Sequence, residues 1–294
     1  MKISKITLGT VNFGMNYGFR KKKNNKIKKK DAIKIIKKAR KLGINSFDTA
    51  SNYGDSEKIL GEALGINKNS FIATKVSINK TKSINFPKIL EEINKSRKNL
   101  RRKKLDIIQI HNADAKILGN SKIRDFFLKL KKKNIIGKIG TTVYSEKEAI
   151  ISINSGWINS IQVPYNLINQ QMNKKVFKLA IKKKVKIFTR SSLLKGVLTE
   201  KILYLPAKLK LIKRQTLKNL KKLNFTVDEL KFLALKFAFS NKQVSSIVIG
   251  VENINQLKEI IKIINFKTSK DLLNKLKCFH IKSKIKDPRL WPFI

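Results

Sequence analysis

Short apolar runs rich in β-branched residues alternate with amphipathic segments along the whole chain, and this alternation constrains the fold more than any other feature. The strand-like runs are KITLGT (5–10), SFDTA (46–50), FIATKV (71–76), DIIQIH (106–111), KIGTTV (138–143), SIQVPY (160–165), VKIFTR (185–190) and SSIVIG (245–250). Helical patterns over 31–42, 55–65, 87–101, 120–133, 145–154 and 171–183 lie between them. Ser145 with Glu148, and Thr226 with Glu229, have capping-box spacing, and Asp31 is placed to cap the first long helix. Eight strand–helix units in about 250 residues predict an α/β fold, a closed (β/α)8 or TIM barrel. The competing fold is an open doubly wound sheet, which usually carries a glycine-rich phosphate turn. No G-x-G-x-x-G follows the first strand, and no G-x-x-x-x-G-K-[ST] occurs. The stretch 196–227 exceeds one crossover and predicts an extra loop and helix on the rim after strand seven. No Pro/Gly/Ser-rich tract divides the chain, so residues 1–294 are expected to form one domain.

The 294 residues carry a formal charge of +48, which invites a nucleic-acid reading. The basic residues are mostly Lys, whereas bidentate phosphate and base recognition favours Arg. They are also spread along the chain and accompanied by abundant Asn and Ile, whose codons, like those of Lys, are A/T-rich. Compositional bias explains all three, so no specific nucleic-acid partner is expected. The densest run, RKKKNNKIKKK at 20–30, reads as a solvated loop before a helix. MKISKITLGT contains no apolar run of signal-peptide type, and no stretch approaches the roughly 18 apolar residues of a membrane span. The single cysteine, Cys278, precludes an internal disulfide and suits a reducing compartment. A cytoplasmic protein without membrane attachment is the expectation.

In a barrel, residues at the carboxyl ends of the strands converge on one face. Asp48, Lys75 and His111 end strands two, three and four, and Tyr53 lies in the loop after strand two. Such a cluster has a definite chemistry. A free phenol with a pKa near 10 is a poor acid at neutral pH, and a neighbouring ammonium would lower that value. Lys75, once buried, needs a partner that Asp48 can supply. His111 can donate a hydrogen bond to a carbonyl oxygen. Together these groups would polarise a C=O and protonate the developing alkoxide while hydride arrives from elsewhere.

The residues around that cluster resemble a known family. GINSFDTASNYGDSEKILGEAL is similar to the aldo-keto reductase signature, in which Asp-Thr-Ala, Tyr-Gly and Ser-Glu precede a helix. FIATKV and LDIIQIH resemble the strands ending in that family's catalytic lysine and histidine. ITLGTVNFGMNYG resembles its first strand and Gly-Thr turn, with Gly9 and Thr10 at the cofactor. IQVPYNLIN, VSSIVIGVENINQLKE and the closing DPRLW resemble later segments, the last typical of a bacterial subgroup. The resemblance implies an oxidoreductase using NADPH or NADH, without metal or flavin, on a small-molecule carbonyl substrate. It makes Tyr53 the proton donor, Lys75 and Asp48 its tuning pair, and His111 the orienting donor. The subgroup's association with surface polysaccharide points to a sugar-like carbonyl. A nucleotide-binding regulatory or scaffold subunit with little turnover is the alternative. The sequence leaves the oligomeric state open.

For the cofactor, the resemblance implies that Gln162 and Thr142 hold the nicotinamide amide, with Val143 replacing the usual asparagine. Arg190 falls at an aromatic position that stacks on the nicotinamide, where its charge suits the oxidised ring poorly. Gly250, Val251, Gln256 and Glu259 match the late phosphate-binding segment. Gly250, Gln256 and Ile260 stand where NADPH-specific members carry lysine, arginine and asparagine, which leaves the choice between NADPH and NADH open.

Overall fold

A computed structural model describes residues 2–19, 26–66, 69–79, 83–173 and 175–291. Its frame is a ring of eight parallel strands in sequence order, closed by pairing of the first with the last. These are β1 (Ile6–Gly9), β2 (Ser46–Asp48), β3 (Phe71–Val76), β4 (Leu105–Ile110), β5 (Ile136–Thr142), β6 (Ser160–Pro164), β7 (Lys186–Arg190) and β8 (Ser246–Ile249). Each of the eight expected runs supplies one strand, and closure leaves no unpaired edge.

Helices follow the strands around the outside. A short α1 (Val11–Gly14) precedes α2 (Lys29–Lys41), α3 (Ser56–Leu64), α4 (Phe86–Asn99), α5 (Ala115–Leu118), α6 (Ser121–Lys132), α7 (Glu146–Asn154) and α8 (Lys175–Lys182). The rim insertion after β7 begins with 3-10 turns and ends in α9 (Lys210–Lys222), ahead of the crossover helix α10 (Leu230–Ser240). The chain then closes through α11 (Ile254–Asn265), α12 (Lys270–Lys275) and a tail of 3-10 turns. None of the helices among the described residues is long and apolar enough to cross a membrane.

Local signals succeed unevenly. Ser145 and Glu148 form the reciprocal capping box of α7. The Thr226–Glu229 spacing does not, because the Thr226 hydroxyl donates to the Glu229 carboxylate instead of accepting from its amide, and α10 starts one residue later. Asp31 is not the cap of α2; Lys28 takes that position, and Asp31 sits in the first turn, where its charge meets the positive end of the helix dipole. Residues 20–25 of the basic run lie outside the described residues. Its remainder departs from a solvated loop: Ile27 is buried in the core and Lys29 and Lys30 open α2.

Most of the apolar core lies between strands and helices. A smaller cluster of Phe71, Ala73, Ile107 and Phe188 forms separately, with the Phe71 and Phe188 rings stacked at 6.3 Å. Along β3 and β7 the alternation that aims Phe71 and Phe188 inward also aims Lys75 and Arg190 inward at the carboxyl end. Apolar packing below and ionisable groups above are thus products of one period.

Candidate active site

Asp48 closes β2 and Lys75 is the penultimate residue of β3. The Lys75 ammonium donates to Asp48 Oδ2 at 2.7 Å and to the Thr49 carbonyl at 2.7 Å. Both side chains are shut off from solvent, at 1% and 6% exposure. Such a pair persists in a protein interior only when it is well hydrogen-bonded. Here the second carboxylate oxygen accepts from Gln162 Nε2 at 2.7 Å. The Asp48 carbonyl accepts from Thr10 through both amide (3.0 Å) and hydroxyl (2.9 Å). One aspartate therefore ties β2 to β3, to β6 across the barrel, and to the turn after β1.

Tyr53 is placed by a backbone contact that only glycine permits. A Cβ added to Gly14 at the end of α1 would lie 1.6 Å from the Tyr53 carbonyl oxygen. Gly54 has φ +53°, and a Cβ there would lie 2.4 Å from the Gly14 carbonyl oxygen. The α1 turn thus presses directly on the Tyr53 turn. The Lys75 ammonium lies 5.2 Å from the Tyr53 ring centroid, and the His111 ring meets that ring edge-on at 6.0 Å. His111 follows β4; its amide donates to the Val76 carbonyl at 2.9 Å, and its own carbonyl accepts from the Thr142 hydroxyl. The four predicted groups meet.

Their electrostatics differ from the sequence expectation in one respect. The Tyr53 phenol is pushed well above its ordinary range, by burial first and the Asp48 charge second, with Arg190 opposing. Lys75 does not win this balance, because its ammonium is itself pulled down by burial and its charge is shared with Asp48. The His111 imidazole is driven down to about 3, by burial and then by the Lys75 and Arg190 charges, so it is neutral near pH 7. Tyr17, across the mouth, is raised to about 12, chiefly by burial.

From this cluster a cavity runs past Gly9 and Ser192 to Gly250, Gln256 and Lys231. Gly9, Thr10, Gln162, Arg190, Gly250 and Gln256 line it, and several predicted cofactor residues also make bonds within the frame. The Thr10 hydroxyl is spent on Asp48 and on Ser56 at 2.6 Å, and Thr142 steadies the His111 backbone. Val143 is buried, its amide donating to the Gln162 carbonyl. Val251 is buried and accepts at its carbonyl from Asn12 Nδ2 at 2.9 Å. Gln256 lines the cavity while its Oε1 accepts from the Glu252 amide at 2.8 Å. Glu259 is not among the lining residues; its carboxylate holds Lys231, which is.

The loop after β7 supplies the lining that sequence reasoning missed. Ser192, Lys195 and Lys201 border the cavity there, and Asn12 and Tyr17 border it from the β1 side. Ser191, Leu194 and Lys195 hold left-handed φ values of 63°, 48° and 58°, followed by Gly196 at 90°. Non-glycine residues in that region are strained by about 1–3 kcal/mol each and gather at functional sites. The Phe19 amide donates to the Lys195 carbonyl at 2.7 Å, joining the two loops. Ser192 Oγ and one terminal nitrogen of Arg190 are buried without a hydrogen-bond partner. The excess length of 196–227 was a legible signal; the backbone conformation at 191–196 was not.

A sequence model of the aldo/keto reductase family matches residues 5–280. The chain is 29% identical over 183 residues to aldo-keto reductase YhdN of Bacillus subtilis, a match covering 59% of this chain and 55% of that protein. It is 25% identical over 276 residues to L-galactose dehydrogenase of Arabidopsis thaliana, covering 88% of this chain and 83% of that one. An uncharacterized oxidoreductase of Mycobacterium tuberculosis is 34% identical over 151 residues, 49% of this chain and 43% of its own. The chain thus spans about half the length of the Bacillus and mycobacterial relatives. Among solved structures, a holo-form aldo-keto reductase from Bacillus halodurans superposes with a TM-score of 0.74 at 20% identity, covering 97% of this chain and 96% of that one. A thermostable aldo-keto reductase bound to the inhibitor epalrestat gives 0.72 at 20% identity, with 94% and 95% coverage. Those two likenesses carry the fold; the sequence match over residues 5–280 carries the ancestry, and the chain belongs to the aldo/keto reductase family.

Proposed function

We propose that this protein is a nicotinamide-nucleotide-dependent oxidoreductase that reduces an aldehyde or ketone to an alcohol, with Tyr53 as the general acid. The observation that carries the reading is the meeting of Tyr53, His111 and the buried Lys75–Asp48 pair at one end of an elongated cavity. A dinucleotide fits the lining. Lys201 and Lys231 line the cavity, each beside a glutamate (Glu252 and Glu259), and unpartnered polar atoms of Ser192 and Arg190 line it too. Gln162, Arg190, Ser192, Gly250 and Gln256 would hold it, and it supplies the hydride when bound. The bound family relative in its holo form and the dehydrogenase relative are in keeping with this.

The chain's own part is to manage a proton. A neutral His111 donates an N–H to the substrate oxygen and fixes its position. Because Tyr53 is held above its ordinary range, its proton stays on the phenol at neutral pH. It moves only when the substrate oxygen becomes strongly basic, as hydride reaches the carbon. The carbonyl carbon gains the hydride, its oxygen gains the Tyr53 proton, and Lys75 stabilises the phenolate left behind. Asp48 keeps Lys75 charged and aimed. The reverse sequence oxidises an alcohol.

Tyr53→Phe is expected to lower kcat by about 10²–10⁴-fold, the range for loss of a general acid, while leaving nucleotide affinity nearly intact. Stopped-flow oxidation of bound NADPH and of bound NADH, against aldehydes including open-chain sugars, measures both. Wild-type turnover in the variant would remove Tyr53 from the reaction.

A further inference from the structure

Arg190 ends β7 and borders the same cavity as Asp48, Tyr53 and Gln162. Its guanidinium carbon lies 4.1 Å from the centre of the Tyr144 ring, and that of Arg289 lies 3.6 Å from the same point. Both guanidinium groups thus pack on Tyr144. Arg289, on the carboxyl-terminal tail, is neutralised: Asp287 accepts from its Nε at 2.9 Å and from Nη2 at 2.6 Å. Arg190 has no such partner. Among the described residues it enters no ion pair, and its polar contact is the Ser191 hydroxyl at 3.5 Å. One terminal nitrogen is buried with nothing to donate to. At the reaction end, Lys75 and Asp48 cancel and the imidazole is neutral. The Asp287 carboxylate also feels the Arg190 charge, but it is bonded to Arg289, so two guanidinium groups share one carboxylate and a net positive charge remains at Arg190 beside that part of the cavity.

The hydride donor must come within bonding reach of the carbonyl carbon whose oxygen Tyr53 protonates. A bound nicotinamide ring would therefore lie beside Tyr53, in the cavity that Arg190 borders. Giving up hydride turns that neutral ring into a cation. Like charges in a partly desolvated site repel far more than in water. We infer that Arg190 biases the site toward the reduced nucleotide, binding it more tightly than the oxidised form and directing the protein toward carbonyl reduction. The inference rests on the nucleotide-dependent reading above. It assigns Arg190 a role in setting the balance between two states of one ligand, apart from any role in holding that ligand.

The test is the ratio of dissociation constants for NADP⁺ and NADPH, measured by calorimetric titration of the full chain. The wild-type protein should bind NADPH more tightly. Arg190→Gln and Arg190→Met should each shrink the ratio about tenfold, equivalent to about 30 mV in a two-electron potential. Arg190→Lys, which keeps the charge, should retain most of it. General damage to the site would weaken both nucleotides equally and leave the ratio in place. A wild-type preference for NADP⁺, or a ratio unmoved in both neutral variants, overturns the inference while the nucleotide reading stands. NAD⁺ and NADH are titrated in the same way, and failure of the wild-type chain to bind any of the four nucleotides removes both.

Discussion

The two ends of the cavity are built on opposite principles. At the reaction end, Asp48, Lys75 and Gln162 are buried and bonded to one another, and the turns that hold them are pinned to the strands. In the loop after β7, the backbone is strained at three non-glycine residues, and the buried Ser192 hydroxyl lacks a partner. Unsatisfied buried groups cost free energy, whereas a closed polar network stiffens its surroundings. The contrast separates a catalytic pair whose partners are in place from a strained loop whose free hydroxyl a ligand would satisfy. Catalytic geometry then belongs to the barrel, and nucleotide affinity belongs to the loop.

Substitutions should expose that division. Lys75→Met leaves Asp48 buried beside Gln162 without its cation, and losing one partner of a buried pair costs about 3–5 kcal/mol. Denaturant unfolding of the variant should show a loss of that size; a loss below 1 kcal/mol would mean the pair is not the rigid half of the site. A smaller effect is expected from acid. His111 has a folded pKa near 3 against an ordinary 6.5, so the unfolded chain binds its proton first. The resulting stability is complete above about pH 6.5 and declines as pH falls from there toward 3. Unfolding midpoints followed over that window should fall more steeply for the wild-type protein than for His111→Gln; parallel curves would place the imidazole in a wetter site. The smallest effect should come from the loop. Ser192→Ala removes a hydroxyl without a partner, so ligand-free stability should change by less than about 0.5 kcal/mol. Nucleotide binding should weaken about fivefold, one hydrogen bond's worth, and a large loss of ligand-free stability would contradict the contrast.

The legible parts of the sequence divide along the same line. All eight strands were recoverable because β-branched runs and helical periods report burial directly. Asp48, Lys75 and His111 were recoverable because strand ends on one face of a barrel must converge. What escaped were matters of pairing and backbone. Gln162 matched a ligand-holding position, yet its amide donates to Asp48. Thr142 kept a hydroxyl, yet gives it to the His111 carbonyl. In both cases residue type was readable and partner was not, since partners come from other strands. The direction of the Tyr53 shift was missed because burial outweighs the nearby ammonium, and depth within a fold is not written in local spacing. The left-handed stretch at 194–196 falls on Leu, Lys and Gly, of which only the glycine advertises it.

Both oxygens of the Asp48 carboxylate are occupied, one by Lys75 and one by Gln162, while its carbonyl takes two bonds from Thr10. This hub restricts how the protein can change. Replacing any one member strands a buried partner, so intermediates along a substitution path are worse than either end, and effects of paired changes will not add. Routes away from this arrangement require two residues on different strands to alter together. The Ser192 hydroxyl in the β7 loop has no partner among the described residues, so that lining position can vary alone. Divergence in ligand preference is therefore open to single steps, and divergence in the proton-handling core is not.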